Sequence, residues 1–254
     1  MDVDRTAAKV VGTHVRIVHS EITGADYELS IAYPDGYEEA SDRYPLLLVL
    51  DAPYFFAHAW LTSLVQFYDG HIPQMLVVGI GRPCETLSEW NGLREIDFTP
   101  VPLEDSPGSG HADDFLNALE HELLPEIDAQ LRTAPGERTI WGHSLGGMFA
   151  LYVLQHRSDL FSRYVATSPS LHDVHRVVPS SSSTPTRSVP VFISVGEEDL
   201  EHRPLVDAYV AALKDSGPEE IDLTTRLFAD TGHTTAAILG LVHGLQALAG
   251  SPTT

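Results

Sequence analysis

The sequence predicts an α/β protein: a mostly parallel, twisted sheet with helices on both faces, entered through an antiparallel hairpin. Short continuous apolar runs recur along the chain, as in strands buried on both faces. Amphipathic helical patterns lie between them. The chain also opens on two β-rich segments joined by the turn residues Gly24, Ala25 and Asp26. Strands alternating with helices imply βαβ units, whose crossovers make the sheet parallel. No repeat period is visible, and residues 1–254 are read as a single domain.

The elements follow in order. Val11 to Ile22 is β-rich, and the second arm of the hairpin ends near Ala32, Tyr33 and Pro34. Leu46 to Leu50 is a wholly apolar run and reads as a central strand. Similar runs occur at Met75 to Ile80, around Thr139 to Trp141, and at Val191 to Val195, with a strand-like segment at Leu223 to Phe228. The clearest helix spans Asp113 to Leu131, with Phe115, Leu119, Leu123 and Ile127 four apart. Pro125 lacks an N–H and is expected to bend or split it. Met148 to Gln155 and Thr234 to Leu248 are also helical in pattern. Two stretches read as loops, Arg82 to Gly110 and Pro179 to Ser188. Segments near 82–110 and 171–188 are expected to form lids or walls over a site. Pro179 to Ser188 itself reads as a mobile surface stretch, whereas Arg82 to Gly110 carries Trp90, Leu93 and Phe98.

Charge narrows the function. The formal net charge is -21, which repels nucleic acid and anionic lipid, so neither is expected as a partner. The lone Cys84 permits no intramolecular disulfide and reads as an inert thiol. Met1 to Lys9 is charged and lacks a signal-peptide core, and no apolar run approaches the ~18 residues of a membrane span. A cytoplasmic location is expected. Among the 13 histidines, His172 and His175 stand three apart with Asp173 between them. No zinc-type motif completes that set, so no metal and no cofactor are expected.

Thr139 to Gly147 carries the chemistry. It places Gly142-His143-Ser144-Leu145-Gly146 after a strand and before a helix, the setting of a nucleophile elbow. The glycines permit a sharp turn, and the helix N-terminus favours developing negative charge. A serine hydroxyl needs a base, and the base needs an orienting carboxylate. Gly232-His233, after the Leu223 to Phe228 strand, supplies the base, His233. Gly196-Glu197-Glu198-Asp199 offers three carboxylates: Asp199 is preferred, Glu197 is the alternative and Glu198 stands behind it.

Several further segments make the sequence resemble the esterase branch of the α/β hydrolases. These are Ser20-Glu21 with its hairpin, Tyr44-Pro45 leading to Leu50-Asp51, and Arg94-x-x-Asp97-Phe98-Thr99-Pro100. Asp114 to Leu116, Glu122 to Ile127, the elbow, and Ser168-Pro169-Ser170-Leu171 continue the match. That branch includes enterochelin-type siderophore esterases, with mycolyltransferases and S-formylglutathione hydrolases as more distant members. The resemblance implies the α/β-hydrolase fold and an oxyanion hole of two backbone N–H groups. One belongs to Leu145. The other belongs to the loop after Leu50, where the family reads Leu-Asp-Gly and this chain reads Leu50-Asp51-Ala52-Pro53-Tyr54. Pro53 has no N–H, so Tyr54 is the expected donor, or Ala52 if the loop is shifted. His172-Asp173 replaces an aromatic pair common in the family and bears on specificity. Arg94 and Asp97 read either as an ion pair or cap bracing a loop, the preferred sense, or with Arg94 meeting an anionic substrate. Arg82, Trp90, Arg94 and His143 are the substrate-binding candidates.

The expected function is a serine esterase acting on a small-molecule carboxylic ester or lactone through an acyl-enzyme. A ferric catecholate siderophore is anionic and would be repelled at long range by this surface unless Arg82 or Arg94 offsets it. A neutral secondary-metabolite ester therefore stands beside it. Acyl transfer or lactone formation by the same residues is the alternative, and an inactive binding protein the remote one.

Overall fold

The computed structural model describes residues 10–172, 188–216, 219 and 221–249. Strands β1 (Thr13–Ser20) and β2 (Ala25–Ala32) form the antiparallel hairpin, turning at Gly24 with φ 66°. The sheet continues through β3 (Tyr44–Leu50), β4 (Leu76–Gly81), β5 (Thr133–His143), β6 (Arg163–Thr167), β7 (Val189–Gly196) and β8 (Ile221–Phe228). The spatial order is β1-β2-β4-β3-β5-β6-β7-β8, antiparallel up to β4 and parallel from there to β8.

Period-two alternation in β3 divides the core between the two faces. Leu46, Leu48 and Leu50 pack into one apolar layer with helices α2 (Leu87–Phe98), α3 (Ala112–Ala118), α4 (Leu124–Gln130), α5 (Leu145–His156) and α6 (Arg203–Ser216). Leu47 and Val49 face the other layer, beneath α1 (Ala52–Tyr68) and α7 (His233–Leu248). The expected architecture, helices on both faces of a mostly parallel sheet, is the observed one.

The helix at Pro125 is interrupted, as expected, by a π turn, whereas Arg82 to Gly110 departs from expectation. Pro125 falls in the first turn of α4, and the helix passes it through a π turn at Leu119–Leu123, with Leu124 N–H donating to Leu119 C=O. The wider turn accommodates a residue that cannot donate. Arg82 to Gly110 is more ordered than a loop. Thr86 Oγ1 accepts from Glu89 N–H at 3.1 Å, Glu89 accepts from Glu85 N–H at 2.9 Å, and α2 follows, burying Trp90 and Phe98. Gly92 and the neighbouring prolines mask that start signal. Helices α1 and α6 and strand β6 were not legible as patterns. Residues 1–9 and 173–187, which include His175 and nearly all of the expected mobile stretch, lie outside the described residues. No described helix is long and apolar enough to cross a membrane.

Candidate active site

Ser144 joins β5 to α5 with φ 58° and ψ -120°, a conformation strained for any L-residue. Its neighbours explain how the turn is held. Ser144 N–H donates to Thr167 C=O at 3.0 Å. A Cβ on Gly142 would meet Gly146 O at 2.2 Å, and one on Gly146 would meet Asp51 Oδ2 at 2.6 Å, so both positions require glycine. Leu145 N–H opens α5, where no intrahelical acceptor exists.

The loops after β7 and β8 interlock. Glu197 N–H donates to Phe228 C=O at 2.8 Å and Glu198 N–H to Thr231 C=O at 2.9 Å. This pairing leaves Glu197 and Glu198 exposed and turns Asp199 inward, 4% exposed. Asp199 Oδ2 lies 2.7 Å from His233 Nδ1, whereas the Glu197 carboxylate accepts from Asp230 N–H at 3.3 Å. Burial pushes the Asp199 carboxyl up, but hydrogen bonds from His233 and His202 outweigh it and hold the group below the usual range.

His202 was not singled out from the sequence. Its Nδ1 lies 2.9 Å from Asp199 Oδ1, and its ring stacks on His233 at 4.2 Å and 22°. Its Nε2 is 3.2 Å from Ser170 Oγ, which is 3.1 Å from Ser144 Oγ. Among the described residues, no hydrogen bond joins Ser144 Oγ to His233. The available signal was the spacing Asp199-x-x-His202 just ahead of α6. The His143 ring also lies close to His233, at 4.5 Å. Its Nδ1 is 3.1 Å from Thr167 C=O. Burial, then His233 and Arg94, pull its pKa down to about 3.

Asp51 organises the opposite wall. It is fully buried at φ 60° and accepts from Arg94 Nε at 2.5 Å, Arg94 Nη2 at 2.8 Å and Trp90 Nε1 at 3.0 Å. Arg94 Nη2 also donates to His143 C=O at 3.2 Å, tying α2 to the elbow. The expected Arg94–Asp97 pair is replaced by a crossed arrangement, with Asp97 bound to Arg82 at 2.9 and 2.5 Å and to Tyr27 Oη at 3.2 Å. Buried charges need partners, and these two pairs supply them. Trp90 is thus buried, and the largely covered Arg94 has its guanidinium committed to Asp51. Arg82 borders an open cleft of about 290 Å³ with Ala52, Pro53 and Cys84, but its guanidinium is held by Asp97. Tyr54 N–H, the expected oxyanion donor, is committed to Asp51 C=O at 2.9 Å. Among the described residues, Ala52 N–H has no such partner. The Cys84 thiol is pushed up by burial and by Glu89, Glu28 and Glu85.

Two groups bring possible metal donors within 4.8 Å of one another: Asp199, His202 and His233, and His172, Glu201 and His202. In the first, the carboxylate oxygens and both Nδ1 atoms already bind each other. In the second, exposed His172 and Glu201 lie 3.5 Å apart and could take up a cation with His202.

A mostly parallel sheet with a strained serine between strand and helix, and an Asp–His pair just past the ends of the last two strands, defines the α/β-hydrolase class. Residues 20–216 match the family model described as "Putative esterase", and the chain belongs to that family. The ferri-bacillibactin esterase BesA of Bacillus subtilis is 33% identical over 183 residues, 65% of this chain. The match spans 61% of BesA, less than two thirds of its length. A siderophore triacetylfusarinine C esterase of Aspergillus fumigatus is 26% identical over 209 residues, 74% of this chain and 70% of the relative. Among solved structures, the BES protein of Bacillus cereus superposes with TM-score 0.81 at 24% identity, covering 97% of this chain and 98% of the other. An IroE-like serine hydrolase from Shewanella oneidensis gives TM-score 0.79 at 25% identity, with 93% and 80% covered.

Proposed function

We propose that this protein is a serine esterase that cleaves the ester bonds of a siderophore through an acyl-enzyme. The observation that carries the reading is Asp199 bonded to His233 at 2.7 Å beside a serine held at φ 58°. Ser144 Oγ attacks the ester carbonyl carbon as His233 Nε2 takes its proton. Asp199, accepting from Nδ1–H, keeps His233 in the tautomer whose Nε2 is free. The N–H groups of Leu145 and Ala52 hold the oxyanion, each worth about 10²–10³ in rate. His233 protonates the departing alcohol, then takes a proton from the water that attacks the acyl carbon, and returns it to Ser144 Oγ as the acyl–Oγ bond breaks and the acid leaves. The relatives named for siderophore esters support the substrate class.

The test is hydrolysis of a short p-nitrophenyl ester and labelling by a fluorophosphonate, with wild type and Ser144→Ala, followed by a ferric and an iron-free cyclic triester siderophore. Turnover and labelling lost together in the variant are expected. A wild type that neither turns over nor labels would overturn the reading and leave a binding protein.

A further inference from the structure

We propose that Ser170 and His202 form a second proton-accepting arm on Asp199, through which Ser144 loses its proton independently of His233. The inference rests on the proposed nucleophile and extends the mechanism around it. Asp199, as a carboxylate, can only accept hydrogen bonds, and with His202 as the neutral imidazole this sets the direction of each bond in the chain. His202 Nδ1 must donate to Asp199 Oδ1 at 2.9 Å, leaving Nε2 as an acceptor. Ser170 O–H then donates to His202 Nε2 at 3.2 Å, and Ser144 O–H donates to Ser170 Oγ at 3.1 Å. Ser170 N–H, bonded to Ser144 C=O at 3.1 Å, holds the two serines together. His202 and Ser170 are 8% and 7% exposed, so little water competes for the chain.

In this arm, Ser144 Oγ forms its bond to the electrophile while its proton moves to Ser170 Oγ. The Ser170 proton moves to His202 Nε2, giving an imidazolium against Asp199. Ser170 touches the reacting oxygen and is catalytic in this sense, while His202 is a positioning residue acting through it. Two imidazoles on one carboxylate thus serve one nucleophile from two sides.

Fluorophosphonate labelling isolates the step, since the Oγ–P bond forms as P–F breaks and fluoride departs without needing a proton. Wild-type labelling that vanishes in Ser144→Ala reports on the nucleophile alone. The second arm is read in the His233→Ala background. There, adding Ser170→Ala or His202→Gln is expected to slow labelling by ~10-fold or more, less than the ~10²–10⁴ of a general base in direct contact, because the proton passes through a second hydroxyl. The two together are expected to slow it no further, because they act in series. Ser170→Thr, which restores a hydroxyl, is expected to recover the rate. In the otherwise native chain, Ser170→Ala should lower kcat with KM unchanged. Near-ultraviolet circular dichroism establishes folding, and Ser170→Ala, losing one oxygen, carries the test should His202→Gln misfold. Labelling of folded His233→Ala that stays the same within twofold after Ser170→Ala would overturn the proposal.

Discussion

His202 and His233 stack 4.2 Å apart and 22° from parallel, and each places Nδ1 on a different oxygen of Asp199. One buried carboxylate therefore orients both imidazoles, and neither ring can keep its tautomer without it.

Asp199→Asn should consequently be severe. The amide preserves shape but presents a donor where one imidazole N–H now points, so one ring must turn or change tautomer. A loss of ~10³–10⁴ in kcat is expected, with KM little changed. Glu197→Gln, at an exposed neighbour, should stay within twofold. Steady-state hydrolysis of a p-nitrophenyl ester by both variants checks this, and the reverse ranking would refute it.

His143 makes folding sensitive to acid. Its pKa is near 3 in the folded chain against the usual 6.5, so between those values the unfolded chain binds more protons. Stability therefore falls as pH drops below about 6.5 toward 3, while depressed Asp199 adds its loss only further down, from the ordinary aspartate range. His143→Asn can keep an N–H for Thr167 C=O and does not titrate. Between pH 7 and 4.5 its Tm should fall less than that of wild type by about 5–10 °C, given roughly 1.4 kcal/mol per pKa unit and 2–4 °C per kcal/mol in a domain this size. Equal Tm losses would rule out this origin of acid sensitivity.

Arg94→Met separates a brace from a ligand contact. Removing one partner of a buried pair costs about 3–5 kcal/mol and leaves Asp51 charged and uncompensated. Tm and kcat should fall together, since Asp51 precedes Ala52 and Arg94 also holds His143 C=O. A variant with normal Tm and a raised KM would instead return Arg94 to the substrate.

Electrostatics should distinguish substrates. With a net charge of -21 and with Arg82 and Arg94 both paired internally, an anionic ferric siderophore approaches against repulsion. Raising ionic strength from about 0.01 to 0.15 M shortens the screening length from ~30 to ~8 Å, so kcat/KM for that substrate should rise severalfold. The value for a neutral p-nitrophenyl ester should stay flat. A fall with salt for the anionic substrate would point to an attractive cationic patch.

How much of this was legible in the sequence depends on how far each signal reaches along the chain. The central strands, the hairpin and the segment Gly142 to Gly147 are local: alternation, apolar runs and two glycines required by one tight turn all lie within a few residues. Helix α1 was hidden because its start, Asp51-Ala52-Pro53, reads as a loop, and α2 because its cap is surrounded by Pro and Gly. The order of Ser144, Asp199 and His233 along the chain was visible as well, because each follows a recognisable strand.

The sequence by itself determined the α/β class, the strained serine and the candidate base, since backbone geometry and burial pattern act over short stretches. Only the tertiary structure decided the partners. Arg94 binds Asp51, 43 residues away, in place of Asp97, and Arg82 takes Asp97 instead. Tyr54 N–H turns back onto Asp51, and His202 joins His233 on a single carboxylate. Buried charges and hydrogen-bonding groups choose whichever partner the packed sheet brings within 3 Å, and spacing along a chain does not encode that choice.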